Sequence, residues 1–441
     1  MTNIETEILR AIDEALFLPF TNSPIKKPIE AATNRIFITI QNPALPIAPS
    51  DYQNGWSPGK SDDNPMATKR FSEWVDAIPA LESTHHLNGQ TISQLYQQIL
   101  GATVKTFSVE GVPQSYKEAE AILYKTSTVN NGKTGQPNTQ TVDSDRYRRY
   151  KDGKANYLNA LAVYQSQYIS YTKTSEGKRT WPLMSAGFQA PVDVAWNQYR
   201  AAEATRIEEA LGTIDRMANT LVSTVFQEAN HHYAAYQKPD PTVPTRSFAP
   251  SYPMPSNWVD ETEGWTELKF SFKQQNPSNQ NSPQVGELLE IETRNLKIKF
   301  QFKVVRIERP WLRFNVVNLP NWAIDAVGAG SYSNGTKILQ ETSLFPLLPQ
   351  AFVVVKNLEA TGNWSETDIT QIESDLSSKE ITQFARFLLN GSYTSNGKSA
   401  LYKATFENNI LTFPGLHIVG WINRIVPFSP PKLNAAKLRK P

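Results

Sequence analysis

The sequence predicts an α+β protein in which an elongated N-terminal helical bundle, containing a long antiparallel helical hairpin, precedes a C-terminal antiparallel β-rich, sandwich-like domain. Three observations support this prediction. Apolar side chains recur at alternating spacings of three and four residues across 147–171 and again across 204–225. Prolines are concentrated in residues 238–258. Beyond that stretch the apolar side chains alternate with polar ones, which is the period of a strand rather than of a helix.

The composition indicates a folded, loop-rich protein. Of its 441 residues, 39% are hydrophobic, which is enough for sizeable cores, and the 30 prolines predict many chain breaks. The formal net charge is only +2, which argues against nucleic acid as a partner, because nucleic-acid-binding proteins concentrate lysine and arginine on one face. The absence of cysteine excludes disulfides, thiol catalysis and cysteine-based zinc sites.

Residues 1–237 form the predicted helical domain. An amphipathic helix is expected over residues 1–16, and it ends before Pro19, which cannot continue it. The following segment, 19–65, is rich in proline and is predicted to run over the surface of another part of the protein, with one short strand at Ile36–Ile40. Short helices are then predicted at 71–80, 92–101 and 116–124.

Two long helices, at about 143–174 and 191–237, carry the apolar seams of the predicted hairpin, with a break at 177–189 between them. The first seam consists of Tyr147, Tyr150, Tyr157, Leu161, Tyr164, Tyr168 and Tyr171. The second seam includes Ile207, Leu211, Ile214, Leu221 and Val225. A repeat of about 3.5 residues keeps one stripe facing a partner helix over many turns. The sequence therefore predicts that the two seams pack against each other in opposite directions.

The proline-rich residues 238–258 are the predicted linker, and residues 259–431 form the predicted β-rich domain, followed by a basic tail at 432–441. Lysines alternate with apolar residues in two of its strands and would share one face: Lys269, Lys273, Lys297, Lys299 and Lys303. Two interpretations remain open. The lysines form a solvated sheet face, or they belong to an amphipathic hairpin that contacts an anionic membrane surface.

No catalytic, metal or cofactor motif is complete. The segments ending in Lys133-Thr134 and Lys398-Ser399 have serine where a P-loop requires its first glycine. Glu228 and His232 share helical i, i+4 spacing, but nothing in the sequence supplies a third zinc ligand. The sequence also lacks the G-x-S-x-G motif of a hydrolase nucleophile. We therefore predict no cofactor and no metal site.

Three C-terminal segments carry a resemblance to other proteins. The sequences ERPWL at 308–312, FPLLPQAFVVV at 345–355 and PGLHIVGWINRIVP at 414–427 are similar to segments of large uncharacterised bacterial and fungal proteins. Because no activity is associated with that family, the resemblance implies no functional residues. Separately, long helices joined to a β domain resemble pore-forming toxins in outline, which is a likeness of architecture alone.

These observations favour a non-enzymatic binding or assembly protein that acts through a protein partner or through self-association, as an effector or cargo of a non-classical export system. The alternatives are a membrane-active, toxin-like protein released in soluble form, and an enzyme with an unrecognised site. The N-terminus is acidic and amphipathic, so it does not read as a secretory signal. No stretch approaches the ~20 apolar residues of a membrane-spanning helix. A soluble protein, cytoplasmic or exported by a leaderless route, is expected.

Overall fold

The computed structural model describes residues 36–58, 62–104, 114–130, 137–172, 174–218, 222–243, 245–260, 262, 264–273, 287–288, 295–320, 322–336, 343–378, 382–395 and 398–432. The predicted helix at 1–16, the seam residue Leu221 and nearly all of the basic tail at 432–441 lie outside these residues. Nothing is described of the Lys273 side chain, although its backbone belongs to a strand.

The α-helices of the described chain are α1 Pro65–Asp76, α2 Ile92–Leu100, α3 Gln114–Leu123, α4 Asp145–Thr172, α5 Ser175–Ala201, α6 Ala204–Ala218, α7 Val222–Tyr236 and α8 Glu366–Ser377. Short 3₁₀ helices occur at Pro49–Asp51 and Phe314–Asn318. Among the described helices, none is both long enough and apolar enough to cross a membrane.

The strands of the N-terminal half are β1 Ile36–Ile47, β2 Ala77–Pro79, β3 Leu87–Thr91, β4 Thr103–Val104, β5 Tyr124–Asn130, β6 Pro137–Asp143, β7 Lys238–Pro239 and β8 Ser247–Phe248. The later strands are β9 Tyr252–Met254, β10 Thr266–Lys273, β11 Glu287–Leu288, β12 Asn295–Glu308, β13 Trp322–Ala323, β14 Leu347–Gly362, β15 Thr382–Phe384, β16 Phe387–Leu388, β17 Asn390–Ser395, β18 Lys398–Lys403, β19 Thr405–Glu407 and β20 Ile410–Ile425.

One large antiparallel sheet organises the fold. Its strand order is β1-β20-β14-β12-β10, with β19 beside β20 and β9 beside β12. The two central strands are nearly continuous apolar runs, as in Phe352–Val355, and are buried along most of their length. Such runs are expected where both faces of a sheet are covered.

Each face of the sheet has its own apolar core. On one face, Phe300, Val353 and Phe413 pack beneath α8 and the segment that contains β15 and β16. On the other face, Phe352 and Trp421 pack beneath α1 and the buried Trp258. A third core joins helices α2 to α7 to the region around the Phe314–Asn318 3₁₀ helix.

The predicted fold class is wrong, because the described residues before 238 form no separate, elongated helical bundle and include a strand of the main sheet. Strand β1, from the predicted surface segment 19–65, forms the edge of the main sheet, where Ile36 pairs with Arg424. Apolar side chains of β1, such as Ile38, pack against the sheet core, so burial requires this strand to join the C-terminal strands. A further strand pair, for which the sequence analysis gives no prediction, joins β5 Tyr124–Asn130 to β6 Pro137–Asp143. The division at 237, 258 and 431 stays a prediction.

The predicted partner of the tyrosine seam is also wrong. Helix α4 pairs with α5, and Tyr157 contacts Trp196 and Tyr199 at ring-centroid distances of 5.0 and 6.3 Å. Helix α5 begins at Ser175, where the Thr174 hydroxyl accepts the Gly177 N–H, so the predicted break at 177–189 is helical. The second predicted helix is instead divided at Glu203, which has a positive φ of 57°.

The isoleucine and leucine seam lies mainly on α6. Ile207 and Ile214 are buried in the same core as Tyr150 and Tyr157, but α6 packs chiefly beside α3 rather than as the hairpin partner of α4. The spacing of apolar residues therefore identified buried helix faces and not the element that covers them. Many packings satisfy the same spacing.

Candidate functional site at an open sheet edge

Strand β12 has an opening in its outer edge. Strand β10 pairs with it as far as Thr266 opposite Phe302, and β9 resumes the pairing with Met254 opposite Arg306. Midway between these pairs, Val304 has no strand partner on this edge within the described part of the chain, although its opposite edge pairs with Val353 of β14. The gap arises because β9 ends at Met254 and β10 begins only at Thr266, and the described residues between them belong to neither strand.

Pro253 indicates which way the backbone of Val304 points. Proline has no N–H, so strands accept it where that group would point away from the hydrogen-bonded partner. Pro253 lies opposite Ile307, so this pair exchanges no backbone hydrogen bond. The hydrogen bonds between β9 and β12 are therefore made by the pairs on either side of it, including Met254 with Arg306. Backbone direction alternates along a strand, so we infer that the N–H and C=O of Val304 point into the opening.

A cleft of about 400 Å³ lies over this opening, between the sheet edge and α4. Asp152, Asn156 and Asn159 line it from the helix, at i, i+4, i+7 spacing, which places them on one helix face. A neighbouring face of α4 is buried against α5 at Gly153, where an added Cβ would lie 3.0 Å from the Tyr199 Cα. The close packing of α4 against α5 therefore leaves the exposed side-chain amides of Asn156 and Asn159 facing the edge of β12 at Val304.

The segment that leaves the sheet is fixed by two buried lysines. The Nζ atoms of Lys303 and Lys356 lie 4.4 and 4.6 Å from the Trp265 ring centroid. The Trp265 indole N–H donates to the Asp260 carbonyl at 2.8 Å, and Lys303 Nζ donates to the Trp258 carbonyl at 3.3 Å. These contacts hold the segment against one sheet face, so it does not cover the edge beside Val304.

Removing the Trp265 ring should therefore make the chain between β9 and β10 less firmly held against the sheet. We expect Trp265→Ala to lower the free energy of unfolding by about 1–2 kcal/mol, because two cation–π contacts are lost. Hydrogen exchange of the 255–266 segment should become faster. Trp265→Phe keeps an aromatic face and should recover most of the loss. Unchanged exchange in Trp265→Ala would show that the two lysines do not fix this segment.

A network of charged side chains fixes α4 beside the cleft. Lys151 Nζ lies 2.6 Å from Asp143 Oδ2 and 3.2 Å from Glu308 Oε2. Arg306 pairs with Glu308 at 3.1 Å and with Asp152 at 3.5 Å, and it donates to the Lys151 carbonyl at 2.6 Å. Burial acts to lower the pKa of Lys151, but the neighbouring Glu308 and Asp143 carboxylates outweigh it and raise that pKa. These ion pairs and the Arg306 hydrogen bond therefore hold α4 in place beside the cleft.

The five predicted lysines lie on one face of β10 and β12, but their surroundings differ. Lys303 is only 5% exposed and contacts Trp265. Lys269 pairs with Glu267 at 2.6 Å, and Lys299 pairs with Glu359 at 3.4 Å. Lys297 is exposed. Of the four lysines whose side chains are described, Lys303 alone lines the cleft, while Lys269 and Lys299 lie opposite each other near Glu267.

Glu228 and His232 have different contacts. Glu228 contacts Tyr116 and Arg313 at 3.4 and 3.7 Å, while His232 packs against the Tyr236 ring. In the described ranges, no three His, Asp or Glu side chains are grouped so that they could hold a metal ion. The cleft residues Asn156, Asn159 and Val304 were not predicted, because nothing in the sequence shows that β12 loses its partner for a few residues. Pro253 and Pro255, in the predicted linker, were the available signal.

Comparisons of this chain with protein-family models, with characterised proteins and with solved structures give no match. The resemblance of the ERPWL and FPLLPQAFVVV segments to an uncharacterised family stays a prediction.

Proposed function

We propose that this chain is a binding protein that takes up a short extended segment of a partner protein at the open edge of β12. The observation that carries the proposal is the Val304 backbone, which lies between the β10 and β9 pairings without a strand partner on that edge. A peptide that pairs with an exposed sheet edge obtains its affinity from backbone hydrogen bonds.

The size of the opening limits the bound segment. From Phe302 to Arg306 the strand advances four residues, about 13 Å. Three residues in extended conformation fit between the two ends, because β10 and β9 occupy the positions opposite Phe302 and Arg306. The cleft volume of about 400 Å³ falls in the ordinary range for ligand sites. The expected ligand is therefore a loop tip or a chain end, not a whole strand.

The lining favours a segment without strong charge. Arg306 is engaged by Asp152 and Glu308, and Lys303 donates to main-chain carbonyls. The exposed amides of Asn156 and Asn159 each offer donors and an acceptor. These groups match the outward-facing peptide groups and polar side chains of a bound segment, which would lie between α4 and the sheet edge.

The direct test uses a library of capped tripeptides as the probe and the full chain as the immobilised protein. We expect selective enrichment of some tripeptides and slower hydrogen exchange of the 302–306 segment when they bind. Val304→Pro should weaken their binding about tenfold, because it removes one donor and disturbs the paired acceptor at a cost of roughly 1–1.5 kcal/mol. Proline is tolerated here because the missing N–H points away from β14.

Matched controls separate binding from folding. Asn156→Leu should also reduce capture of the tripeptides, whereas Asn197→Leu, at an exposed position of α5, should leave it unchanged.

Light scattering shows whether the captured segment belongs to a second copy of the chain. Concentration-dependent dimers that Val304→Pro abolishes would identify self-association. Equal enrichment by the native chain and a folded Val304→Pro variant would exclude the open edge as the binding site.

A further inference from the structure

A second cleft, of about 480 Å³, opens on a different part of the molecule. Its walls come from the C-terminal half of α1, the first two turns of α2, the last turns of α7 and strand β8. None of its lining residues belongs to the β12 edge. The lining is predominantly polar and includes two carboxylates, four side-chain amides and two aromatic rings: Glu73, Asp76, Gln94, Gln97, Asn230, Gln237, Tyr233 and Phe248.

Both carboxylates already have contacts within the protein, Asp76 through hydrogen bonds and Glu73 through an ion pair. Asp76 accepts hydrogen bonds from the Ser93 N–H at 2.9 Å and from the Ser93 hydroxyl at 2.5 Å, which also caps the start of α2. Glu73 pairs with Lys69 at 3.3 Å. Each carboxylate oxygen keeps a further acceptor position. The acids therefore offer hydrogen-bond acceptors to a ligand, and Glu73 has an ion-pair partner in Lys69, whereas the donors to Asp76 are neutral.

The amides supply the complementary groups. Gln94 and Gln97 project from α2 as exposed side chains, and each carries two donors and one acceptor oxygen. Asn230 uses its Nδ2 atom to donate to the Leu100 and Phe226 carbonyls at 2.9 and 3.3 Å, which fixes the side chain at the cleft wall. Gln237 is fixed similarly, through the Tyr233 carbonyl at 3.4 Å.

The aromatic rings give one part of the lining an apolar surface. Tyr233 is held edge-on by Tyr96 and Trp311, with ring centroids 5.7 Å away in each case. Phe248 is half-buried in β8, beside the last turns of α7. A ligand with hydroxyl groups on its rim and C–H groups on its faces matches both kinds of surface, because hydroxyls donate and accept at once.

We propose that this cleft binds a neutral polyhydroxylated ligand, namely a short carbohydrate chain. An anion is disfavoured because the two acids line the cleft and the neighbouring Lys69 is shared between Glu73 and Asp240. A cationic amine is the competing class of ligand, because the hydrogen-bond donors to Asp76 come from the neutral Ser93, and spermidine is therefore included in the test. The site is independent of the proposed peptide site at Val304.

The test uses saturation-transfer NMR on the full chain with maltotriose, cellotriose, chitotriose and mannotriose as separate probes. We expect transfer to at least one trisaccharide and a dissociation constant that Gln97→Leu raises about fivefold or more, because one or two hydrogen bonds are lost. Phe248→Ala should weaken the same trisaccharide. Gln198→Leu, an exposed glutamine on α5, is the matched control and should leave binding unchanged, as should Val304→Pro.

Two results would overturn the proposal. The first is the absence of saturation transfer from all four trisaccharides to a chain that is shown to be folded. The second is binding of spermidine, but of no trisaccharide, in a manner that Gln97→Leu abolishes, which would identify an amine site. Retained trisaccharide binding in Val304→Pro would keep this inference separate from the fate of the proposed peptide function.

Discussion

Acidification from pH 7 to pH 5 is expected to lower the free energy of unfolding by on the order of 4 kcal/mol, mainly through three histidines. Burial lowers the pKa of His417 to about 3. Burial, together with Arg313, lowers the pKa of His232 to about 4, and burial, together with His86, lowers that of His85 to about 4. Each stays neutral in the folded protein across this range.

The sign follows from the unfolded chain. An unfolded histidine has a pKa of about 6.5, so below that pH it takes up a proton that the folded protein cannot accept. Above pH 6.5 the three residues contribute no pH dependence, and the loss grows as pH falls from 6.5 towards 4. At pH 5 each histidine accounts for about 2 kcal/mol. The raised pKa values of Asp76 and Glu228, both caused chiefly by burial, act in the opposite direction and reduce the total.

His417 provides the sharpest check. Its ring packs against Phe387 and Tyr402 at 5.6 and 5.1 Å, and neither ring nitrogen has a hydrogen-bond partner among the described residues. His417→Phe should reduce the loss between pH 7 and pH 5 by about 2 kcal/mol. Urea unfolding at pH 7, 6 and 5 measures this, with the exposed His231→Phe as control. A native stability that is flat across this range would show that these histidines are accessible to protons.

Replacement of Lys151 by methionine should destabilise the protein by about 2–3 kcal/mol. Removing one member of a fully buried ion pair costs about 3–5 kcal/mol because the remaining charge has no partner. The side chains of Lys151, Asp143 and Glu308 are 25%, 26% and 17% exposed, so solvent reduces that cost. Capture of tripeptides should also weaken, because Arg306 donates to the Lys151 carbonyl and α4 forms one wall of the cleft.

Two further variants distinguish charge from packing. Lys151→Met combined with Asp143→Asn removes the carboxylate that loses its ion pair, whereas Glu308 keeps its pair with Arg306, so this double variant should recover most of the stability. Lys125→Met breaks the Lys125–Asp145 pair, whose side chains are 43% and 59% exposed. That change should cost less than about 1 kcal/mol. If Lys151→Met and Lys125→Met have equal effects on urea midpoints, the network beside the cleft contributes no more than a surface pair.

Local sequence patterns predicted elements more successfully than their partners. The long helix expected at 143–174 contains α4, and the apolar alternation around Leu296–Val304 lies within β12. These elements could be predicted because burial of one face imposes a period on nearby residues. The β1–β20 pairing and the α4–α5 hairpin depend on residues distant in sequence or on a chain turn at Thr174. The spacing of apolar residues does not determine the β1–β20 pairing or the α4–α5 hairpin.

The candidate sites show the same limit. Gln97 and Asn156 read as ordinary exposed helix residues until α7 and β12 are brought opposite them. The alternation of lysines predicts Lys303 on a face that is either solvated or in contact with an anionic membrane, but Trp265 and the Trp258 carbonyl bury it. The sequence contains the chemical groups of both clefts. Whether these groups form a binding site depends on which strand edge is left open and on which helices converge. Both are properties of the tertiary structure.

The pairing of Ile36 with Arg424 brings together the first and last long strands of the sheet. During synthesis, β1 leaves the ribosome long before β20 exists, at a typical rate of about 5–20 residues per second. For on the order of tens of seconds, a strand rich in isoleucine therefore waits without its native neighbour. The main sheet is completed only after β20 has been synthesised, so until then β1 can form non-native contacts.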